Sequence, residues 1–344
     1  MNSLLQAAVK NNASDLHLIA GLKPYIRIDG HLQPLDKESV ISAAKSKELA
    51  FSIMDTEQKK RFEEQKDLDF SYETEDGSRF RINVHYEKGN VGLVARVINA
   101  DVPSLEDLLM PPIVSELIRE PQGLILLTGP TGSGKSTSLA AMVGAINRER
   151  AVHIVTLEDP VEYLHKPDKS IIIQREYGQD FLDFSSGLRH VLRQDPNVIM
   201  VGEMRDLETI GLALTLAETG HLVLATLHTQ DAAQTIDRIV DVFPPHQQNQ
   251  IRLQLSFVLK GVISQHLVDA AAGGRIAVRE IMVSTPAIAN IIRENKVAQI
   301  KTAIQTSSDK GMFTIEQDLK RLVEDGTITK DIAEIYAKYI SFDD

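Results

Sequence analysis

The sequence predicts an α/β protein: a strand-rich N-terminal module, a wound α/β domain with a mostly parallel sheet, and a mostly helical C-terminal stretch. Three observations carry that prediction. From Gly123 onward, short apolar runs alternate with helical stretches. One of those runs leads through a glycine-rich turn, Gly129 to Ser136, directly into a helical stretch. Before about residue 100, turn signals separate short alternating segments instead.

In chain order, Tyr25-Ile-Arg-Ile-Asp-Gly30 reads as a strand running into a turn. Lys45 to Gln65 carries Leu49, Ile53, Met54 and Phe62 at helical spacing. Arg79 to His85 and Val91 to Ile98 read as a strand pair joined by a turn containing Gly89 and Asn90. Pro103 and the Pro111-Pro112 pair punctuate a leucine-rich connector. Gly123-Leu-Ile-Leu-Leu-Thr128 then has the unbroken apolar texture of a strand buried on both faces. His153 to Leu157, Asn197 to Val201 and His221 to Thr226 repeat it. After Pro244-Pro245 the texture turns mostly helical, Gly273-Gly274 marks a turn, and Arg275 to Met282 returns as a strand.

With 344 residues the chain is long enough for two domains. Hydrophobic residues at 43% and charged residues at 25% match a soluble globular protein. No apolar run approaches the ~18 residues of a membrane-spanning helix, and Met1 to Lys10 lacks the pattern of a secretion signal. Cysteine is absent, which excludes disulfides and thiolate metal sites and fits a reducing compartment. A net charge of −11 disfavours a broad nucleic-acid surface, and no histidine pair has zinc spacing. An acidic cytoplasmic protein with neither zinc nor nucleic acid is expected.

Gly129-Pro-Thr-Gly-Ser-Gly-Lys-Ser136 matches the phosphate-binding loop G-x-x-x-x-G-K-[ST] in full, after a buried strand and before a helix. Its glycines let backbone N–H groups curl around phosphate oxygens, and the helix N-terminus adds its positive end. Lys135 is placed to neutralise the β and γ phosphates, and Ser136 to hold magnesium. Thr156-Leu-Glu-Asp-Pro160 ends a strand with two carboxylates, and Glu158 or Asp159 is expected to organise the metal and its waters. Asn197-Val-Ile-Met-Val-Gly-Glu203 ends another, where Glu203 is expected to orient the attacking water. Gly202, not an aspartate, precedes it, so metal support falls to Glu158 or Asp159. His228, just past the strand within Gly220 to Thr229, is placed to report the γ-phosphate to the neighbouring helix. Taken singly, a glutamate or histidine at a strand end is usually structural, and Arg81 and Arg96 read as ordinary exposed strand arginines. The grouping of such strands in one wound domain favours function for the glutamate.

With these elements in order, the chain resembles the type II/IV secretion ATPase superfamily, and within it the type IV pilus retraction ATPases, the PilT family. The resemblance covers nearly the whole chain. Ala13-Ser-Asp-Leu-His-Leu18 and Ile26 to Gly30 resemble the family's N-terminal domain, and Gly129 to Ser136 its Walker A loop. Thr156 to Glu162 resembles the aspartate box, Val201 to Thr209 the Walker B segment, and Gly220 to Thr229 the histidine box. The resemblance implies a PAS-like α+β domain over 1–100, a linker over 101–120, a RecA-like ATPase core over 121–270 and a mostly helical region over 271–344. It implies ATP and Mg2+, with Gly129, Pro130, Thr131, Gly132, Ser133, Gly134, Lys135, Ser136 and Thr137 on the nucleotide. It also implies a homo-hexamer in which Arg81 and Arg96 of the N-terminal domain help complete the site. Such rings act on an inner-membrane platform protein at the cytoplasmic base of the pilus, so that pilin subunits leave the fibre in retraction and twitching. Ala287-Ile-Ala-Asn-Ile-Ile-Arg-Glu294 is similar to a segment of retraction members, with Ala289 in place of an arginine; Gly211 replaces another arginine after the Walker B segment. A secretion or pilus-assembly ATPase is the alternative, disfavoured by the short N-terminus and the missing cysteines, and a nucleic-acid translocase is further from the pattern.

Overall fold

The computed structural model describes residues 1–28, 30–98 and 101–342, with backbone alone for 338–342. Two compact units emerge: Met1–Asp101 with Pro160–Leu164, and Val102–Asp159 with His165–Asp344.

The first unit runs α1 (Asn2–Lys10), β1 (Asp15–Leu18), β2 (Tyr25–Ile28), β3 (His31–Pro34), α2 (Ala43–Phe51), α3 (Thr56–Gln65), β4 (Asp67–Glu73), β5 (Arg79–Glu87) and β6 (Asn90–Ile98). Its strands form one antiparallel sheet in the order β3-β2-β1-β6-β5-β4. Strict alternation drives β5: Phe80, Ile82 and Val84 are buried in the core, while Arg79, Arg81 and Asn83 take the other face. The β5–β6 turn is made by Lys88 and Gly89, both at positive φ, with Asn90 already in β6. The helical spacing over 45–65 resolves into two helices. Asp55 ends the first stretch and caps the second in a capping box with Gln58. Asp29, expected in the turn after β2, and Asn99 and Ala100, at the expected domain boundary, lie outside the described residues.

The second unit opens with α4 (Pro112–Leu117), β7 (Gly123–Thr128), α5 (Lys135–Glu149), β8 (His153–Glu158), β9 (Ile171–Glu176), α6 (Phe184–Val191), β10 (Val198–Val201), α7 (Leu207–Glu218), β11 (Leu222–Leu227) and α8 (Ala232–Asp241). It closes with α9 (Pro245–Val258), β12 (Leu259–Asp269), β13 (Arg275–Val283), α10 (Pro286–Arg293), α11 (Ile300–Gln305), α12 (Ile315–Glu324) and α13 (Lys330–Phe342). The sheet order is β13-β12-β7-β11-β10-β8-β9, parallel at every pairing except β12 with β13. Its central strands are mostly apolar because both faces are covered. Leu124 and Leu126 of β7 pack into one layer with α6 to α10, and Ile125 and Leu127 into the other with α4 and α5.

Two expected boundaries move. Residues 101–120 are not a loose linker, since Leu105, Val114, Leu117 and Ile118 are buried against Ile125 and Leu127. The expected break at 270 falls inside the β12–β13 hairpin. Gly273 and Gly274, both at positive φ, turn one sheet strand into the next. Strand β12 itself was not expected from the sequence. Helix α10 spans nearly all of the segment Ala287 to Glu294, burying Ile288 and Ile292. Gly211 lies on α7, and a side chain there would meet the Phe243 ring at an ordinary 3.7 Å, so its small size is not sterically required. Among the described residues, no helix is long and apolar enough to cross a membrane.

On β13, Glu280 is buried and accepts a hydrogen bond from the Ala232 N–H at 2.9 Å, capping α8 beside Asp231. Burial pushes its carboxyl up from 4.5 to about 7, opposed by the Ala232 amide and reinforced by the charge of Asp231. The folded chain therefore holds this proton more tightly than the unfolded one, and ionising Glu280 removes stability as pH rises from about 4.5 to about 7. Glu280→Gln keeps the acceptor for Ala232 and cannot ionise. It is expected to gain up to roughly 3 kcal/mol over wild type at pH 8 and little at pH 5. Urea unfolding at the two pH values measures this; an equal effect at both would show that ionisation of Glu280 is not the cause.

Candidate active site

Strands β7, β11, β10 and β8 are consecutive neighbours in the sheet, with Thr128 opposite Leu227 and Val201 flanked by Ala225 and Leu157. Their C-terminal ends therefore fall along one edge, where wound sheets bind ligands. The chain leaves those ends through Gly129, His228, Gly202-Glu203 and Glu158-Asp159, so the sheet order gathers the expected polar residues of this unit into one row.

The Gly129–Ser136 loop needs its glycines. A Cβ on Gly129 would collide with the carbonyl of Gln265 and with Ser133 Oγ, and Gly132 and Gly134 sit at φ of 80° and 83°. Gly134 is the N-cap of α5, whose first amides have no acceptor within the helix and face outward from its positive end. Lys135 is buried and its Nζ donates to the carbonyls of Gly129 at 2.7 Å and Pro130 at 2.9 Å, holding the ammonium inside the loop. Ser133 Oγ is buried with no hydrogen-bond partner among the described residues. An orphaned hydroxyl beside an ammonium and a helix N-terminus fits a phosphate oxygen. Thr131, Gly132 and Ser136 are exposed, and Pro130 and Thr137 are half-buried.

Glu158 is buried, and its Oε1 accepts from Thr156 Oγ1 at 2.6 Å and Gln174 Nε2 at 3.1 Å. Asp159 is exposed, and its charge reaches Arg205. Among the described residues no three His, Asp or Glu side chains form a metal cage. Magnesium needs none, since it keeps waters and takes phosphate oxygens with one or two protein ligands. The exposed Ser136 hydroxyl with carboxylates near the strand ends suits it.

Glu203 is gripped from two sides. His228 Nε2 lies 3.1 Å from its Oε1, and Arg205 Nη2 lies 2.7 Å from its Oε2. Burial alone raises its pKa, but the Arg205 hydrogen bond and the charges of His228 and Arg205 more than offset this, leaving the carboxyl below its ordinary value. Gly202 explains the missing aspartate. A Cβ there would press to 3.1 Å on the Leu157 carbonyl and 3.3 Å on Glu158 Cα, while its carbonyl accepts from Thr226 Oγ1.

Arg81 and Arg96 belong to the first unit and stand opposite each other across β5 and β6. Arg96 Nε donates to Asp15 Oδ1 at 3.0 Å, and Arg81 Nε lies 3.8 Å from Asp69. Sequence reasoning did not single out Arg205, Thr156 or Gln174, nor the pair Gln265 and Arg279 behind the loop. Gln265 Nε2 donates to the Ser133 carbonyl at 2.7 Å, and its Oε1 accepts from Ser138 Oγ at 2.9 Å and Arg279 Nε at 3.1 Å. The sequence signal for it is weak, an amide in the polar triplet Ser264-Gln265-His266 between the apolar pairs Val262-Ile263 and Leu267-Val268.

A glycine loop capping a buried helix behind a central parallel strand, with a glutamate and histidine joined at the ends of the next strands, defines a P-loop nucleotide hydrolase. The chain matches the Type II/IV secretion system protein family over residues 1–334. It is 49% identical over 343 residues to the type IV pilus retraction ATPase PilT of Pseudomonas aeruginosa, covering 98% of each chain. A twitching motility protein of Neisseria gonorrhoeae is 45% identical over 332 residues, covering 96% of this chain and 88% of that one. The crystal structure of the pilus retraction motor PilT with bound ADP superimposes with a TM-score of 0.91 at 45% identity, over 96% and 95% of the two chains. The chain belongs to the type II/IV secretion system protein family and, within it, to the PilT-type ATPases.

Proposed function

We propose that this ATPase is the subunit of a homo-hexameric motor that powers type IV pilus retraction. It would work at the cytoplasmic face of the inner membrane, against a platform protein at the pilus base. The observation that carries this reading is the end-to-end likeness to a named retraction ATPase, at 49% identity over 98% of both chains. In the proposed cycle the loop from Gly129 to Ser136, with Thr137, cradles the ATP phosphates, and Lys135 balances charge on the β and γ groups. Ser136 would hold magnesium, with Glu158 and Asp159 organising its waters, and the ion would supply positive charge against the phosphates. Glu203 accepts a hydrogen bond from the attacking water. Because its pKa is lowered, it orients that water more than it deprotonates it, and the proton leaves with the phosphate product. The water oxygen bonds to the γ-phosphorus as the bond to the β-γ bridging oxygen breaks, releasing ADP. His228, bonded to Glu203, senses the γ-phosphate, and Arg81 and Arg96 complete the site in the ring.

Cells carrying Lys135→Ala in place of the native protein are expected to display surplus, static pili with no twitching or fibre shortening under the microscope. Bald cells would assign the motor to assembly instead. Unchanged pili would remove it from the pilus altogether.

A further inference from the structure

Among the described residues, Arg279 is the largest fully buried side chain, 2% exposed, on the antiparallel edge strand β13. A guanidinium is a costly group to bury, and apolar residues of similar volume usually pack such a position at no loss. Its guanidinium bonds go to neutral oxygens. Nε donates to Gln265 Oε1 at 3.1 Å, Nη2 to the Leu108 carbonyl at 3.0 Å and Nη1 to the Leu109 carbonyl at 3.3 Å. Asp318 is engaged by the Arg279 backbone N–H instead, at 2.8 Å. Leu109 sits at a φ of 47°, a left-handed conformation unfavourable for leucine, in the turn that brings both carbonyls onto the one side chain.

The other end of this chain of bonds is the phosphate loop. Gln265, 1% exposed, donates to the Ser133 carbonyl. In a trans peptide the carbonyl and the following N–H point in opposite directions. Fixing the Ser133 carbonyl onto Gln265 therefore aims the Gly134 N–H away from Gln265. Gln265 has one amide oxygen, and Arg279 and Ser138 both donate to it, so the arginine fixes which way round the amide lies.

We infer that Arg279 and Gln265 are positioning residues that couple the connector at Leu108–Leu109 to the phosphate loop, so that the set of the connector tunes nucleotide affinity. The connector follows the last strand of the first unit in the chain. The inference rests on the reading of Gly129–Ser136 as the nucleotide loop.

The test is titration of the full chain with fluorescent ADP in four forms: wild type, Gln265→Met, Arg279→Lys and the double variant. Each single change is expected to weaken binding about tenfold, the scale of one or two hydrogen bonds. The double variant is expected to bind within about twofold of the weaker single, since both break one relay. Melting temperatures separate this from simple destabilisation, which lowers stability without coupling the two losses in affinity. Arg279→Lys binding as wild type, or losses that multiply in the double variant, would overturn the relay. Hydrogen exchange on the wild-type protein gives an answer even if a variant fails to fold. ADP should slow exchange at the amides of Leu108 to Met110 together with the loop, and slowing confined to the loop would count against the relay. Wild type that binds no ADP would defeat both the relay and the loop assignment; variants that bind normally defeat the relay alone.

Discussion

Glu203→Gln is expected to leave ADP binding within about twofold of wild type while lowering the ATP turnover number by roughly 10²–10⁴-fold. The split follows from the geometry. Glu203 lies just past the end of β10, outside the loop proposed to hold phosphate, and its interactions run to Arg205 and His228. Glutamine keeps the size of the side chain and one acceptor oxygen. It loses the charge that draws Arg205 and His228 into place and that is proposed to align the water. The pH profile should distinguish orientation from base catalysis. A carboxyl whose pKa is pulled below its ordinary value is ionised across the neutral range, so wild-type turnover should show no limb from Glu203 between about pH 6 and 8. Steady-state turnover with parallel fluorescent-ADP titration checks both halves. A variant with turnover near that of wild type would remove Glu203 from the water-orienting role, and one that lost ADP binding equally would make it a binding residue.

Much of this site was legible in the sequence because its scaffold obeys a simple rule. Strands covered on both faces are apolar at most positions, so β7, β8, β10 and β11 stand out as near-continuous runs, and each expected polar residue of that unit comes at or just after the end of one. The pairing of Glu203 with His228 was less accessible, since it depends on β10 and β11 being neighbours in the sheet. Strand β9 escaped because it lies at the sheet edge, where Ile171 and Ile173 are exposed and no two-sided burial constrains it. Strand β12 escaped for another reason. Its interior carries Ser264, Gln265 and His266, polar residues that break the apolar run because they serve neighbours. Ser264 accepts from Thr128, Gln265 braces the loop, and His266 lies 3.3 Å from the Gln230 carbonyl. Arg279 meets Gln265 only through the hairpin register that sets those two residues opposite each other. No local pattern announces such a pair, and the glycines at 273 and 274 look the same in a hairpin turn as in a domain boundary.

The two arginines of the first unit should separate in a way that sequence alone does not predict. If both complete the site of the assembled ring, Arg81→Ala and Arg96→Ala are each expected to lower ATP turnover by about 10³-fold or more, the scale of arginines that stabilise phosphoryl-transfer charge. Their structural costs differ. Arg81 is 3.8 Å from Asp69, and both side chains are exposed, so removing it should leave the melting temperature nearly unchanged. Arg96 donates at 3.0 Å to Asp15, a carboxylate only 6% exposed whose other arginine, Arg27, lies 3.8 Å away. Alanine at 96 leaves that buried charge with its weaker partner, and about 1–3 kcal/mol of stability should go with it. Lysine at 96 keeps the charge beside Asp15 and should restore the melting temperature while recovering little turnover, because it lacks the planar fork. Thermal unfolding and ring-state ATPase assays on the three variants decide the matter. Arg81→Ala with wild-type turnover would restrict Arg81 to the sheet surface, and Arg96→Lys with full turnover would reduce Arg96 to the partner of Asp15.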